Sequence, residues 1–185
     1  MSKKVVIIQF SSRQNGNCNA ISKVINEFYQ KDDVRACAVD ACSMPACSNC
    51  DYECLTPKKT CPNLTQEQIQ LYTDVCNADI TYMIVPNYCG YPCASYFAYN
   101  ERSVGYFNLD RALMSQYMSA KKRFIVVSNT EGLNFENALK QQSTEPKILY
   151  LKTGKYGKCS TAGDLMESED AKDDLITFLS LEDSV

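Results

Sequence analysis

Lys3-Lys4-Val5-Val6-Ile7-Ile8-Gln9-Phe10, then Ser11-Ser12-Arg13-Gln14-Asn15-Gly16-Asn17-Cys18, then Asn19-Ala20-Ile21-Ser22-Lys23-Val24-Ile25-Asn26-Glu27-Phe28-Tyr29 decides the fold. A short apolar run stops at a polar loop that contains a glycine. Apolar residues then recur at Ile21, Val24, Ile25 and Phe28, the spacing of one helix face. This reads as a buried strand feeding a loop onto a helix N-terminus. Such an end presents unpaired backbone N–H groups and the positive pole of the helix dipole, which suits a phosphate. Ser11, Ser12, Asn15 and Asn17 add hydrogen-bonding side chains, and Arg13 adds a cation with fork geometry. An ordinary strand-to-helix turn would look similar.

Outward from this unit, strand and helix alternate. Residues 34–39 read as a second strand. Residues 41–64 break the rhythm with clustered cysteines, prolines and little apolar periodicity, and read as an irregular insertion. Thr65 with Gln68 has the spacing of a capping box, and the spacing predicts a helix from there to about Ala78. A third strand is expected over 79–86, ending at Pro86. Helices are expected over 94–102 and about 109–118, a fourth strand over 123–128 and a helix over about 134–141. A fifth strand is expected over 147–151 and a last helix over about 167–181. Five apolar strands alternating with helices imply an α/β fold, a parallel sheet covered on both faces with right-handed crossovers. In such sheets ligands bind outside the carboxyl ends of the strands. Loops 11–18, 86–93 and 129–132 lie there, all polar or glycine-bearing, and the second adds tyrosine and proline.

A chain of 185 residues fits one domain, 1–185, with room for a substantial core. The net charge of −3 is spread over both signs, which argues against a nucleic-acid surface. No apolar run approaches membrane-spanning length, and the four apolar residues before Gln9 are too few for a signal peptide. A cytoplasmic location is expected. The absence of histidine excludes imidazole-based nucleophile activation, metal ligation and proton relay. The eleven cysteines, an odd number without a secretory signal, are expected to be reduced thiols or metal ligands rather than a disulfide framework.

The first loop lacks both G-x-x-x-x-G-K-[ST] and G-x-G-x-x-G, which argues against triphosphate hydrolysis and against a pyrophosphate lying across the turn. A monophosphate suits it better. Seven of the twelve tyrosines fall between Tyr82 and Tyr117. Aromatic rings stack on planar heterocycles, and Gly90 allows close backbone approach. Core or oligomer-interface roles account for most of these tyrosines, while Tyr88 fits either role.

Ser11-x-Arg13-x-Asn15-Gly16-Asn17-Cys18 after an apolar strand resembles the Ser-Pro-Arg-x-x-Gly-Asn-Thr phosphate loop of the NAD(P)H-dependent FMN reductase family. Pro86-Asn87-Tyr88-Cys89-Gly90 resembles that family's Pro-x-Tyr-x-Gly flavin loop, and Tyr99-Asn100-Glu101-Arg102 its Phe-Leu-Asp-Arg helix end. Asn129-Thr130-Glu131-Gly132 stands where the third flavin loop belongs. The motifs occur in the family's order along nearly the whole chain. The resemblance implies a flavodoxin-like three-layer sandwich with a five-stranded parallel sheet of order 2-1-3-4-5 and a Cys-rich insertion at about 41–64. It also implies FMN as cofactor, NAD(P)H as co-substrate, and a homodimer or homotetramer. Carried over by position, Ser11, Arg13, Asn15, Asn17 and Cys18 would hold the phosphate. Pro86, Asn87, Tyr88, Cys89 and Gly90, with Asn129, Thr130, Glu131 and Gly132, would contact the isoalloxazine. Cys18 replaces a hydroxyl residue of the motif, and a thiol is a weak donor.

Cys47-x2-Cys50-x3-Cys54-x6-Cys61 is similar to the cysteine motif of the family's iron–sulfur branch, with one residue more in the second gap. Four thiolates this close could wrap a [4Fe–4S] cluster or a tetrahedral zinc, and metal binding would order an irregular loop. Relatives also keep such loops without metal. Cys37 and Cys76 read as small core residues, and Cys89 and Cys93 lie beside the expected flavin.

Two functions follow from different classes. One is an FMN-dependent oxidoreductase that moves electrons from NAD(P)H to an acceptor with no side-chain acid or base. The other is a flavodoxin-like electron carrier that turns over no small substrate. A zinc-stabilised binding protein is a third alternative.

Overall fold

A computed structural model describes residues 2–47, 50–56, 59, 61–130, 133–143 and 146–181. Among the described residues there are six strands: β1 (Lys4–Gln9), β2 (Asp33–Ala38), β3 (Ile80–Tyr88), β4 (Tyr91–Pro92), β5 (Lys122–Ser128) and β6 (Lys147–Lys152). Six helices accompany them: α1 (Asn17–Phe28), α2 (Gln66–Asn77), α3 (Ala94–Phe107), α4 (Arg111–Ser119), α5 (Leu133–Lys140) and α6 (Glu169–Leu179). The five long strands are parallel, in the order β2-β1-β3-β5-β6, and β4 is a two-residue antiparallel addition to β3. Without that addition the order is the expected 2-1-3-4-5.

The layers follow from the two-residue alternation of strand side chains. Val6, Ile8, Met83, Val85, Phe124 and Val126 face one way, against apolar residues of α2, α3, α4 and α5. Val5, Ile7, Tyr82, Ile84, Ile125 and Val127 face the other, against α1 and α6. Strands buried on both faces read as unbroken apolar runs, which is why β1, β3 and β5 were visible in the sequence. The capping box of α2 forms as its spacing predicts. Thr65 Oγ1 accepts from the Gln68 N–H, and Gln68 Oε1 accepts from the Thr65 N–H.

The third strand continues past Pro86 to Tyr88. The Ile84 carbonyl accepts from Phe10 N–H at 2.9 Å, so Pro86, two residues on, turns its missing donor to the same side, beyond the end of β1. No ladder bond is lost there, and the strand closes into a hairpin with β4. Cys89 and Gly90, the two turn residues, both have positive φ (54° and 86°), the conformation of a tight hairpin turn matched to strand twist.

α3 runs five residues beyond its expected end, through Gly105. A Cβ at Gly105 would stand 2.7 Å from Cys61 Cβ, so the glycine lets the Cys-rich insertion lie directly on the helix. Three further residues of α3 and its C-cap hold that insertion. Arg102, buried, donates to the carbonyls of Pro45 and Ala46. The Glu101 carboxylate accepts from the Cys47 N–H at 2.9 Å, and Asn108 Nδ2 donates to the carbonyls of Thr56 and Lys59.

Lys122 is buried at the start of β5. Its ammonium donates to the carbonyls of Tyr117 and Ala120 at the end of α4 and lies 4.1 Å from the Tyr117 ring centre. Burial lowers its pKa to about 8. The unfolded chain therefore holds the extra proton between about pH 8 and the ordinary lysine value, and Lys122 adds stability as pH rises through that window. Urea midpoints of wild type and Lys122→Met, compared from about pH 8 to about pH 10.5, should shift in favour of wild type as pH rises. A constant difference would show that Lys122 titrates as it does in the unfolded chain.

Candidate functional site

The β1–α1 turn is built from its backbone. Gly16 N–H bonds the Arg13 carbonyl at 3.3 Å, and Arg13 N–H bonds Ser11 Oγ at 3.3 Å. Ser11 accepts here, so its hydroxyl proton faces no partner from the turn. Gly16 is the N-cap of α1 and supplies no side-chain cap, and no acidic residue occupies the first turn. α2, α4 and α6 are instead capped by Thr65, Asp110 and Ser168. The leading amides of α1 are thus left for something other than a side chain.

This turn opens into a cavity of about 280 Å³ at the carboxyl ends of the strands. Ser11, Arg13, Gly16, Asn17 and Cys18 line it from the first loop, and Pro86, Asn87, Tyr88 and Cys89 from the second. Val127, Ser128 and Asn129 line it from the third, and Ser160 and Thr161 complete it. The size is at the small end of the roughly 300–1,000 Å³ usual for ligand clefts. A cavity of about 680 Å³ at the opposite end of the sheet, bordered by Lys3, Tyr29, Asp79 and Arg123, lies at the starts of the strands. Ligands of open α/β sheets do not bind there.

Asn87 locks the second and third loops together. Its Oδ1 accepts from the Gly90 N–H at 2.9 Å, and its Nδ2 donates to Ser128 Oγ at 2.8 Å and reaches Thr130. Ser128 Oγ also accepts from the Thr130 N–H and donates to the Thr130 carbonyl. The Asn87 side chain is therefore a tie between loops, and Gly90 and Thr130 shape the rim rather than line the cavity. Tyr88 and Tyr91 stand exposed on the hairpin, while Tyr82, Tyr96, Tyr99, Tyr106 and Tyr117 are buried in the two cores.

The remaining expected residues fall in different places. Asn15 faces a separate depression with Gln14, Asn19 and Asp40. The amide of Asn17 is buried and spent on carbonyls of the loop after β6. Cys18 is buried, and its thiol pKa is pushed up to about 12 by burial and the neighbouring Cys93, so it stays a neutral, weak donor. Glu131 and Gly132 lie outside the described residues. Ser128, Val127, Ser160 and Thr161 were missed. The first two end a recognised strand, but nothing near residue 160 marks it in the sequence as part of the site.

All eleven cysteines are free thiols. Cys50 and Cys61 lie close enough to Cys47 and Cys54 to bear on the ionisation of those two thiols. Burial raises the Cys47 and Cys54 thiols, and neighbouring thiols of the group push in the same direction. Among the described residues, however, no three His, Cys, Asp or Glu side chains converge to hold a metal ion.

Sheet order, helix layering and a cleft at the carboxyl ends of the strands define a flavodoxin-like fold. Solved structures agree. The Trp repressor binding protein of Bacillus subtilis is 13% identical, with 98% of this chain and 100% of that one covered at a TM-score of 0.62. The flavoenzyme NAD(P)H:(acceptor) oxidoreductase of Paracoccus denitrificans is 12% identical, covering 96% and 95% at 0.57. An NADH:FMN oxidoreductase in its apo form is 12% identical, covering 99% and 92% at 0.52. At these identities the likeness establishes the fold. No protein-family model matches the chain, and no curated protein does. Among the described residues, no helix is long and apolar enough to cross a membrane.

Proposed function

We propose that the chain is an FMN-dependent oxidoreductase that passes electrons from NAD(P)H to an acceptor. The observation that carries this reading is the cavity in which the uncapped, acid-free start of α1 and Arg13 face the β3 and β5 loops. The residues fit a mononucleotide. Amides and a guanidinium at one end suit a phosphate, and the loops joined by Asn87 offer a backbone-lined slot for a planar ring. The similarly folded NAD(P)H:(acceptor) and NADH:FMN oxidoreductases support the same assignment.

Bound FMN would supply the hydride-accepting ring, and the protein would bind, orient and shield it. Arg13, the Ser11 hydroxyl and the α1 amides would hold the phosphate. The Asn87 tie fixes the spacing between the 86–90 and 128–130 loops and so would position a bound ring. Tyr88 and Tyr91, exposed beside the cavity, would cover the ring or its co-substrate. The chain has no histidine to shuttle a proton, and the Cys18 thiol is held protonated at neutral pH.

We place the protein in a reducing compartment, the cytoplasm, on the strength of its free thiols. Phe97 and Val104, one face of α3 and both exposed, support self-association into a homodimer or homotetramer. A [4Fe–4S] or zinc centre on Cys47, Cys50, Cys54 and Cys61 rests on spacing alone, and no electron step is routed through it. Iron, sulfide and zinc assays of anaerobically purified protein test it.

The functional assay is NADH and NADPH oxidation with FMN and a quinone acceptor. We expect FMN-dependent turnover of one nicotinamide or both. FMN-loaded protein that leaves both untouched, yet exchanges electrons with a redox partner, would make it an electron carrier.

A further inference from the structure

The loop between β6 and α6 reaches the cavity from outside the three strand-end loops, and two contacts hold it there. Asn17, 4% exposed, donates from Nδ2 to the carbonyls of Cys159 (3.3 Å) and Ser160 (3.2 Å), and its Oδ1 accepts from the Leu165 N–H at 3.0 Å. Gly163, at φ +80°, lies so close to the β1–α1 turn that a Cβ there would stand 2.1 Å from the Asn15 carbonyl oxygen. Lys158 braces the loop's base through Asp164 at 3.4 Å and Glu167 at 3.3 Å. Ser160 and Thr161 are thereby fixed on the cavity wall together with Arg13 and Gly16. Both carry a hydroxyl. Cys159 Sγ lies 3.2 Å from Thr161 Oγ1, a pair in which either atom can donate, so the Thr161 hydroxyl can turn its proton to a ligand by accepting from the thiol.

The α1 turn has a deficit that this loop meets. At its second helical position stands Cys18, whose thiol is a poor donor to an anion. The amide of Asn17 is already spent. Apart from Ser11, the first loop lends the cavity no side-chain hydroxyl.

We propose that the 157–165 loop is a further binding element, with Ser160 and Thr161 donating hydroxyl hydrogen bonds to the phosphate of a mononucleotide seated at the α1 turn, and Asn17 acting as the residue that positions them. This rests on the FMN reading above. The loop hydroxyls replace the donor that Cys18 cannot provide.

Fluorescence titrations with FMN and with riboflavin, which lacks the phosphate, test this. Wild type should prefer FMN. Ser160→Ala/Thr161→Val should lose about tenfold or more in FMN affinity, as expected for hydrogen bonds to a charged group, and keep riboflavin affinity within about twofold. Thr161→Ser in the wild-type background should bind FMN as wild type does. A double variant that keeps the full FMN preference, or loses both flavins equally, overturns this inference and leaves the flavin reading standing. Wild type that binds neither flavin overturns the flavin reading and this inference with it.

Discussion

Arg13→Ala should lower FMN affinity by about ten- to a hundredfold, the value of a lost charge-assisted contact to phosphate, and change riboflavin affinity within about twofold. Arg13 sits at the bend of the β1–α1 turn, where its carbonyl anchors Gly16 N–H and its side chain lines the cavity. The substitution removes the side chain and leaves that backbone bond, so the turn keeps its shape. Arg13→Lys should recover part of the loss, because an ammonium keeps the charge but cannot make the paired contacts of a guanidinium. Rising salt should weaken FMN binding in wild type more than in Arg13→Ala. An Arg13→Ala protein that holds FMN as tightly as wild type would move the phosphate away from this turn.

The largest stability effect is expected at the other end of β5. Arg123 is 2% exposed, and its guanidinium donates to the carbonyls of Phe178 (2.9 Å), Leu179 (3.2 Å) and Leu181 and reaches the Tyr82 hydroxyl. These carbonyls lie at and just beyond the end of α6, where the Phe178 carbonyl also accepts from the Leu181 N–H at 3.4 Å, and the cation closes the helix C-terminus onto the sheet. The Phe178 ring lies 5.7 Å from the guanidinium carbon. Arg123→Ala strands these acceptors and leaves a void, at a cost of about 3–5 kcal/mol, or roughly 6–20 °C in Tm for a chain of this size. Arg123→Met, which fills the space, should cost less. Ser128 lies five positions along the strand from Arg123, about 16 Å at strand rise, so residual folded protein should bind FMN normally. Thermal melts of both variants with FMN titration at low temperature check this. An Arg123→Ala melt within about 1 °C of wild type would mean α6 ends without this clamp.

The parts of the fold that were legible are those whose physics is local. β1, β3 and β5 are buried on both faces, so their apolar runs need no partner to be recognised. The cap of α2 is written in Thr65 and Gln68 alone. Pro86 misled because its tolerance depends on where β1 stops, which is a property of the neighbouring strand. The helix expected over 94–102 runs on through Gly105, where the absence of a Cβ lets Cys61 pack, a contact that no local pattern shows.

The site shows the same division. Strand order alone places the loops 11–18, 86–93 and 129–132 at the carboxyl ends of the strands, where the cavity opens. The 157–165 loop could not be, because its attachment joins Asn17 to residues more than 140 positions away. Asn17 looked like a ligand donor in the sequence, and only the fold reveals that its amide is spent in holding Ser160. The Cys-rich insertion is the converse case. Its cysteine spacing was legible, whereas its docking on α3 through backbone contacts with the side chains of Glu101, Arg102 and Asn108 was not.

Calorimetric titration of the purified chain with FMN and, separately, riboflavin tests the central claim most directly. The account predicts one FMN per chain, bound at least about tenfold more tightly than riboflavin because the phosphate is gripped at the start of α1. Equal affinity for the two, or heat from neither, would contradict it.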